Sequence, residues 1–261
     1  MKYYRPKTFD EYFAIGKPNS TLLAGGTDLI PRYERGKELP ATIIDLKKLP
    51  DFIGINEVGN NLEIGAATTI EDIKNNDSIK KKYTALRQSI IDFGSVQIRN
   101  RATIGGNICN ASPSGDTLPA LYAYDAQLLV HNRNGNRVIS IRDFILNPGK
   151  TVIKNDEVLQ TILIPESYSK AIFKKLGLRE AMAISVVNFA IVCEDNKLTI
   201  AVGAVAPTIL IFRELEKLST EQILNKIDKT ISPIDDIRAT AKYRRKVLRN
   251  MLEFELNKIR K

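Results

Sequence analysis

The order of apolar and polar positions predicts a succession of short strands and helices. Residues 9–15 (FDEYFAI) read as a short helix, 21–24 as a strand, 28–35 as a helix and 42–45 as a strand. A second block opens with a strand at 62–66 and a helix capped at Thr69. Ile79, Tyr83, Leu86 and Ile90 then recur at helical spacing, and Gly94 is the expected stop. A polar loop precedes the apolar stretch 118–123, two strands flank Asn134-Gly135, and 160–164 alternates in strand fashion up to Pro165. The polar residues around 166–170 mark the expected boundary between a domain at 1–166, with lobes of about 1–50 and 51–166, and a second at 167–261. Beyond it, 173–176 is apolar, 179–184 reads as a short helix, and strands at 186–193 and 198–205 flank the turn Asp195-Asn196. Two helices complete the pattern. One starts at the box Ser219-x-x-Gln222, and the other, 235–261, sets Ile237, Ala241, Leu248, Leu252 and Ile259 on one face. No repeat or low-complexity segment interrupts this order. The fold class is α+β, a two-lobed N-terminal domain followed by a smaller antiparallel sheet with helices.

Composition narrows the function. The 261 residues, 43% of them hydrophobic, suffice for one sizeable core or two modest ones. No stretch reaches the roughly 20 apolar residues of a membrane span, and MKYYRPKTFDEYF lacks the apolar run of a signal peptide, so the expectation is a cytoplasmic protein. Cys109 and Cys193 are the two cysteines and His131 the single histidine. An iron–sulfur cluster takes about four cysteine ligands, and a structural zinc site as many Cys or His, so this chain houses neither alone. His131 lies on a predicted hairpin beside the turn 132–136, which argues against a nucleophile–histidine pair, and Cys109 is expected to be a small packed thiol. The net charge of +9 is spread among alternating acidic residues, with its densest cluster at 242–249 and no Trp, which argues against nucleic-acid binding and for a solvated helix face or an acidic partner.

Two glycine pairs remain as the candidate chemistry: AGGTD at 24–28 and TIGGN at 103–107, the latter running through ICNASPSGD to Asp116. A strand that ends at Gly-Gly leaves consecutive backbone N–H groups unpaired, with no Cβ to hold an anion away. One such turn can hold one phosphate, and two together suggest a diphosphate. Gly-Gly also closes ordinary hairpins, and the residues alone leave that reading open. The spacing is not G-x-G-x-x-G, and no G-K-[ST] is present, which disfavours a Rossmann or nucleoside-triphosphate loop.

The pairing of LLAGGTDL with QIRNRATIGGNICNASPSGDTLPAL resembles the FAD-binding subunit of molybdenum-containing hydroxylases, the xanthine dehydrogenase and carbon monoxide dehydrogenase group. IGAATTIEDI, DEVLQTILIP, FKKLGLREAMAISVVNFAIV and VGAVAPT follow in the family's order, so the resemblance covers nearly the whole chain. It implies a FAD domain of the PCMH/vanillyl-alcohol-oxidase type. It further implies that Leu22, Leu23, Ala24, Gly25, Gly26, Thr27, Asp28 and Leu29 form a first FAD segment and Thr103, Ile104, Gly105, Gly106 and Asn107 a second. By the same resemblance Asp116 accepts from ribose or ribityl hydroxyls, Phe93 and Leu159 lie near the flavin, and Lys174 stands beside it. On the residues alone, Asp116 also reads as a helix cap, Phe93 as core and Lys174 as a solvated strand residue. Where the family carries an Arg-Arg pair after the lysine, this chain has Leu178-Arg179, a lost charge beside the flavin. The implied partners are an iron–sulfur subunit with [2Fe–2S] clusters and a large molybdopterin subunit, in a dimer of heterotrimers. Electrons would pass from the iron–sulfur partner through FAD to NAD⁺. A carbon monoxide or N-heterocycle dehydrogenase subunit, a free-standing FAD oxidoreductase and a flavin-free scaffold are the alternatives.

Overall fold

The structure, a computed structural model, describes residues 1–15, 20–166 and 170–260. They form two compact units that interleave along the chain. One comprises Met1–Asn76, Ser95–Ala111 and Asp125–Glu166; the other comprises Asp77–Gly94, Ser112–Tyr124 and the chain from Ser167. The residues on which the domain boundary was expected, 167–169, lie outside the described set, as does Lys261 at the expected end of the last helix.

In the first unit, strands Lys2–Tyr4, Ser20–Leu23 and Thr42–Asp45 make an all-parallel sheet with Thr42–Asp45 in the middle. Parallel neighbours need crossovers, and the helices Phe9–Ile15 and Leu29–Glu34 supply them in sequence. The central strand is buried from Ile43 to Asp45, and Tyr12, Ile44, Phe52, Ala67 and Val158 close one core around it. A second, antiparallel sheet runs in the order Ile55–Val58, Asn61–Gly65, Val158–Pro165, Gln127–Asn132, Gly135–Ser140. The expected helix at 9–15, strand at 42–45, Thr69 cap and hairpin at Asn134-Gly135 are all present; the Lys2–Tyr4 and Ile55–Val58 strands were not foreseen.

The second unit is built on a four-stranded antiparallel meander, Lys170–Gly177, Ser185–Glu194, Lys197–Gly203 and Leu210–Phe212. Ser185 to Val192 are buried without a break, as in a strand covered on both faces. Val187, Phe189 and Ile191 pack with Ile200 and Val202 against Ile223, Leu224, Ile227, Leu248, Leu252 and Leu256 of the two C-terminal helices. The opposite face carries Asn188 and meets the helix Thr117–Ala123. The Asp195-Asn196 turn has φ of 47° and 62°, the left-handed pair of a tight hairpin.

Three expectations fail here. Residues 179–184 form no helix: Gly177 already pairs with Ser185, so the segment must reverse direction, and Met182 takes a φ of 55° to do it. The last helix spans Ala241–Ile259 instead of starting at 235, because Thr240 caps it by accepting from the Tyr243 N–H, and Ile237 is fully exposed. The helical run at 79–90 is split into Asp77–Lys82 and Thr84–Ile91.

Candidate functional site

The AGGTD segment leaves the carboxyl end of the Ser20–Leu23 strand, the end of a parallel sheet at which ligands gather. Leu22 and Leu23 close the strand, Ala24, Gly25, Gly26 and Thr27 make the turn, and Asp28 occupies the N-cap position of Leu29–Glu34. Gly25 rests so closely on Arg101 that a Cβ would stand 2.0 Å from the Arg101 carbonyl oxygen, and Gly26 has a φ of 76°. Contact demands glycine at the first position and conformation favours it at the second. Among the described residues, no group accepts a hydrogen bond from the backbone N–H of Gly25, Gly26 or Thr27. Three consecutive unpaired donors on a half-buried turn make an anion cradle.

The second glycine segment is a different object. No strand precedes it; Thr103 caps the short helix Ile104–Asn110, its hydroxyl accepting from the Gly106 N–H. The N–H groups of Ile104, Gly105 and Asn107 donate to Thr68, Ala66 and Thr103 carbonyls at 3.2, 2.9 and 2.9 Å. The expected row of unpaired donors is therefore absent from 104–107, because helix start and neighbouring loop already use them. Gly105 is required by packing, since a Cβ would meet the Ala66 carbonyl oxygen at 2.7 Å, while Gly106 is exposed. The two segments are neighbours all the same. Gly25 abuts Arg101 and Ala102, and Arg32 joins Asp28 at 2.6 Å to Asn110 at 2.7 Å. Leu159, also in this unit, is buried at a β-bulge where the pairing of Val158–Pro165 with Gln127–Asn132 shifts register.

Asp116, Phe93 and Lys174 belong to the second unit. Asp116 does not cap the helix after it. It is buried, its Oδ1 accepting from Ser185 Oγ at 2.5 Å and Asn188 Nδ2 at 3.0 Å, its Oδ2 paired with Lys175 Nζ at 2.8 Å. Lys174 lies on the other face of its strand and pairs with Glu255 of the long helix at 3.4 Å. Phe93 is half-buried just beyond Thr84–Ile91. Lys175, Ser185 and Asn188 were missed by sequence reasoning; the signal for Lys175 was strand alternation, which sends adjacent lysines to opposite faces.

Other singled-out residues fall outside this arrangement. His131 packs against Phe9, their rings tilted by 43° with centroids 3.9 Å apart. Cys109 carries exposed surface as a residue, yet burial of its thiol pushes it up to about 12, which agrees with the expected packed thiol. The charged cluster near 242–249 is largely structural, with Arg244 buried and Arg249 clamping Glu221 and Asp228. No helix of the described residues is long and apolar enough to cross a membrane, and no group of three or more His, Cys, Asp or Glu among them could hold a metal ion.

Residues 1–167 match the family described as the FAD binding domain in molybdopterin dehydrogenase, and residues 171–257 the CO dehydrogenase flavoprotein C-terminal domain. The chain is 30% identical to the xanthine dehydrogenase FAD-binding subunit of Escherichia coli O157:H7, over 95% of this chain and 92% of that one. It is 28% identical to the carbon monoxide dehydrogenase medium chain of Hydrogenophaga pseudoflava, covering 98% and 96%. Among solved structures, the reconstituted CO dehydrogenase from Oligotropha carboxidovorans matches with a TM-score of 0.89 at 26% identity, over 97% of this chain and 95% of that one.

Proposed function

The chain belongs to the family of FAD-binding medium subunits of molybdenum hydroxylases, and from that premise we propose that it serves a xanthine dehydrogenase-like complex whose final electron acceptor is NAD⁺. It is the flavoprotein component of an oxidoreductase, with FAD as its cofactor. Bound FAD supplies an exchange point between one-electron iron–sulfur partners and two-electron acceptors; the protein contributes its position and electrostatics.

The first glycine turn fits that cofactor. Gly25, Gly26 and Thr27 offer their N–H groups to the diphosphate, with the Thr27 hydroxyl as a further donor, and no side-chain charge is needed at the contact. Those three unpaired donors, at the carboxyl end of parallel strands and inside the segment matched by the FAD family, carry the proposal. The second segment contributes close backbone approach at the exposed Gly106 rather than a row of backbone donors. Leu159, buried in the same unit as the glycine turn, packs near the ring system. The molybdenum centre and iron–sulfur clusters sit on the large and small partner subunits of a dimer of heterotrimers, a division that suits a chain with two cysteines.

The purified chain should carry one FAD, and NADH added anaerobically should bleach its flavin absorbance. A colourless chain that takes up no added FAD would overturn the cofactor assignment. A yellow chain indifferent to NADH would remove NAD⁺ alone and favour the carbon monoxide branch, which the H. pseudoflava relative represents with somewhat greater coverage.

A further inference from the structure

The register of the parallel sheet sets Asp45 opposite Leu23, so the chain just beyond Asp45 runs alongside the start of the first glycine turn. Lys47 stands there. Its Nζ donates to the Ala24 carbonyl at 2.9 Å and pairs with Asp45 Oδ1 at 2.9 Å. Asp45, with its side chain 4% exposed, is itself fixed: Oδ1 also accepts from the Lys47 backbone N–H at 3.0 Å and Oδ2 from the Tyr3 hydroxyl at 2.6 Å. Burial pushes the Asp45 carboxyl upward, yet the Tyr3 and Lys47 donors outweigh it and hold the group below the ordinary carboxylate range. A buried carboxylate thus anchors the ammonium, and the ammonium anchors one carbonyl of the glycine turn.

In a trans peptide, the carbonyl of one residue and the N–H of the next point to opposite sides. Drawing the Ala24 carbonyl toward Lys47 therefore fixes the direction of the Gly25 N–H, the first of the three unpaired donors. Glycine has the widest backbone freedom of any residue, so without that tether the 24–25 peptide can rotate and lose the donor direction. We propose that Lys47 is a positioning residue for the FAD diphosphate, acting through the Ala24–Gly25 peptide. The inference rests on the FAD reading above. Because Asp45 neutralises the ammonium, the effect is directional rather than a long-range attraction.

Lys47→Met and Lys47→Arg separate this role from a structural one, with Lys47→Gln read in place of Met if that variant fails to fold. The dissociation constant for FAD is measured by flavin fluorescence on apoprotein, and apoprotein stability by urea denaturation. Loss of the tether should weaken FAD about ten-fold for Met, with Arg restoring most of the affinity. The apoprotein midpoint should fall too, because Asp45 loses a buried partner, and Lys47→Met combined with Asp45→Asn, which leaves no lone carboxylate, should regain the midpoint but not the affinity. Unchanged FAD affinity in Lys47→Met overturns the proposal. So does a double variant that regains midpoint and affinity together, which marks a packing role. Wild-type chain that binds no FAD sinks the cofactor reading instead.

Discussion

Asp116 divides its two carboxylate oxygens among Ser185, Asn188 and Lys175, all within the second unit. Lys175 is the charged member, and with side-chain exposures of 12% and 8% the pair is largely removed from water. Removing one partner of a buried pair leaves the other charge uncompensated. Lys175→Met should therefore destabilise the protein by about 3 kcal/mol, read as a lower urea midpoint. Combining it with Asp116→Asn should recover much of the loss, since no lone charge remains; a double variant no more stable than the single one would contradict this account. The adjacent Lys174 behaves differently, because its pair with Glu255 leaves the lysine half-exposed. That the two lysines face opposite ways was legible from strand alternation. Which of them meets Asp116 was not, because it depends on Lys175 standing opposite Asn188 across a pairing that local sequence does not encode. Lys47 was hidden for the same reason: its role exists only once Leu23 and Asp45 are in register. The Asp195-Asn196 turn was readable because two residues that tolerate positive φ suffice to make it.

Helix ends repeat the contrast between local and distant causes. Ser219 and Gln222 form a complete capping box for Thr220–Thr230, a purely local device that was read correctly. The long helix was placed six residues early because Asp235 and Thr240 are both good caps and periodicity could not choose between them. Asp236 decides it. Its carboxylate takes the Arg238 and Ala239 N–H groups and the guanidiniums of Arg238 and Arg244, folding 236–239 into a turn before the helix. Arg244 in turn donates to the Val186 and Ala204 carbonyls, fastening the helix to the sheet. At Thr103 the ambiguity was of kind: Gly-Gly after a short apolar stretch suits a strand-ending turn as well as a capped helix, and only the loop at Ala66–Thr68 selects the helix. Burial pushes the Asp236 carboxyl upward, but the backbone and guanidinium donors prevail and hold it well below the ordinary carboxylate range. A carboxyl that titrates lower in the folded than in the unfolded chain stabilises fully above the unfolded value, about 3.9, and loses that contribution progressively as pH falls from there toward the folded value. Asp236→Asn should therefore cost stability at neutral pH, and the gap to wild type should begin to narrow below about pH 5 and be clearly smaller, though still open, at about pH 3. A gap that stays constant over that range would remove Asp236 from the acid response.

At the scale of the whole chain, the two units are not consecutive halves, and this has a consequence for fragments. Asp77–Gly94 and Ser112–Tyr124 precede residue 166 yet belong to the second unit. The Phe173 N–H donates to Gln88 Oε1 at 2.7 Å, Thr84 Oγ1 donates to the Ala171 carbonyl at 2.7 Å, and Asp116 is held by Ser185 and Asn188. Helix Thr84–Ile91 packs on strand Lys170–Gly177, and Thr117–Ala123 on the two strands after it. A fragment ending at residue 166 would keep these helices and lose the strands beneath them, uncovering side chains such as Ala85, Leu86, Ile90, Leu118 and Leu121 that are now fully buried. Each large aliphatic side chain returned to water forfeits about 1.5–3 kcal/mol, and Asp116 would lose all three donors. The sum is on the order of 10 kcal/mol, comparable with the entire stability of a domain. The first unit's glycine turn, Lys47 tether and parallel sheet all lie inside that fragment, so its sequence contains the cradle. It should nonetheless express as an aggregate, or as a soluble species without a cooperative urea transition, and retain little FAD. Supplying the chain from 167 onward as a second polypeptide during refolding should restore both the transition and the bound cofactor. A fragment of 1–166 that unfolds cooperatively and holds FAD stoichiometrically on its own would show that the inserted helices find other cover, and that the linear division describes the folding unit better than the interleaved one.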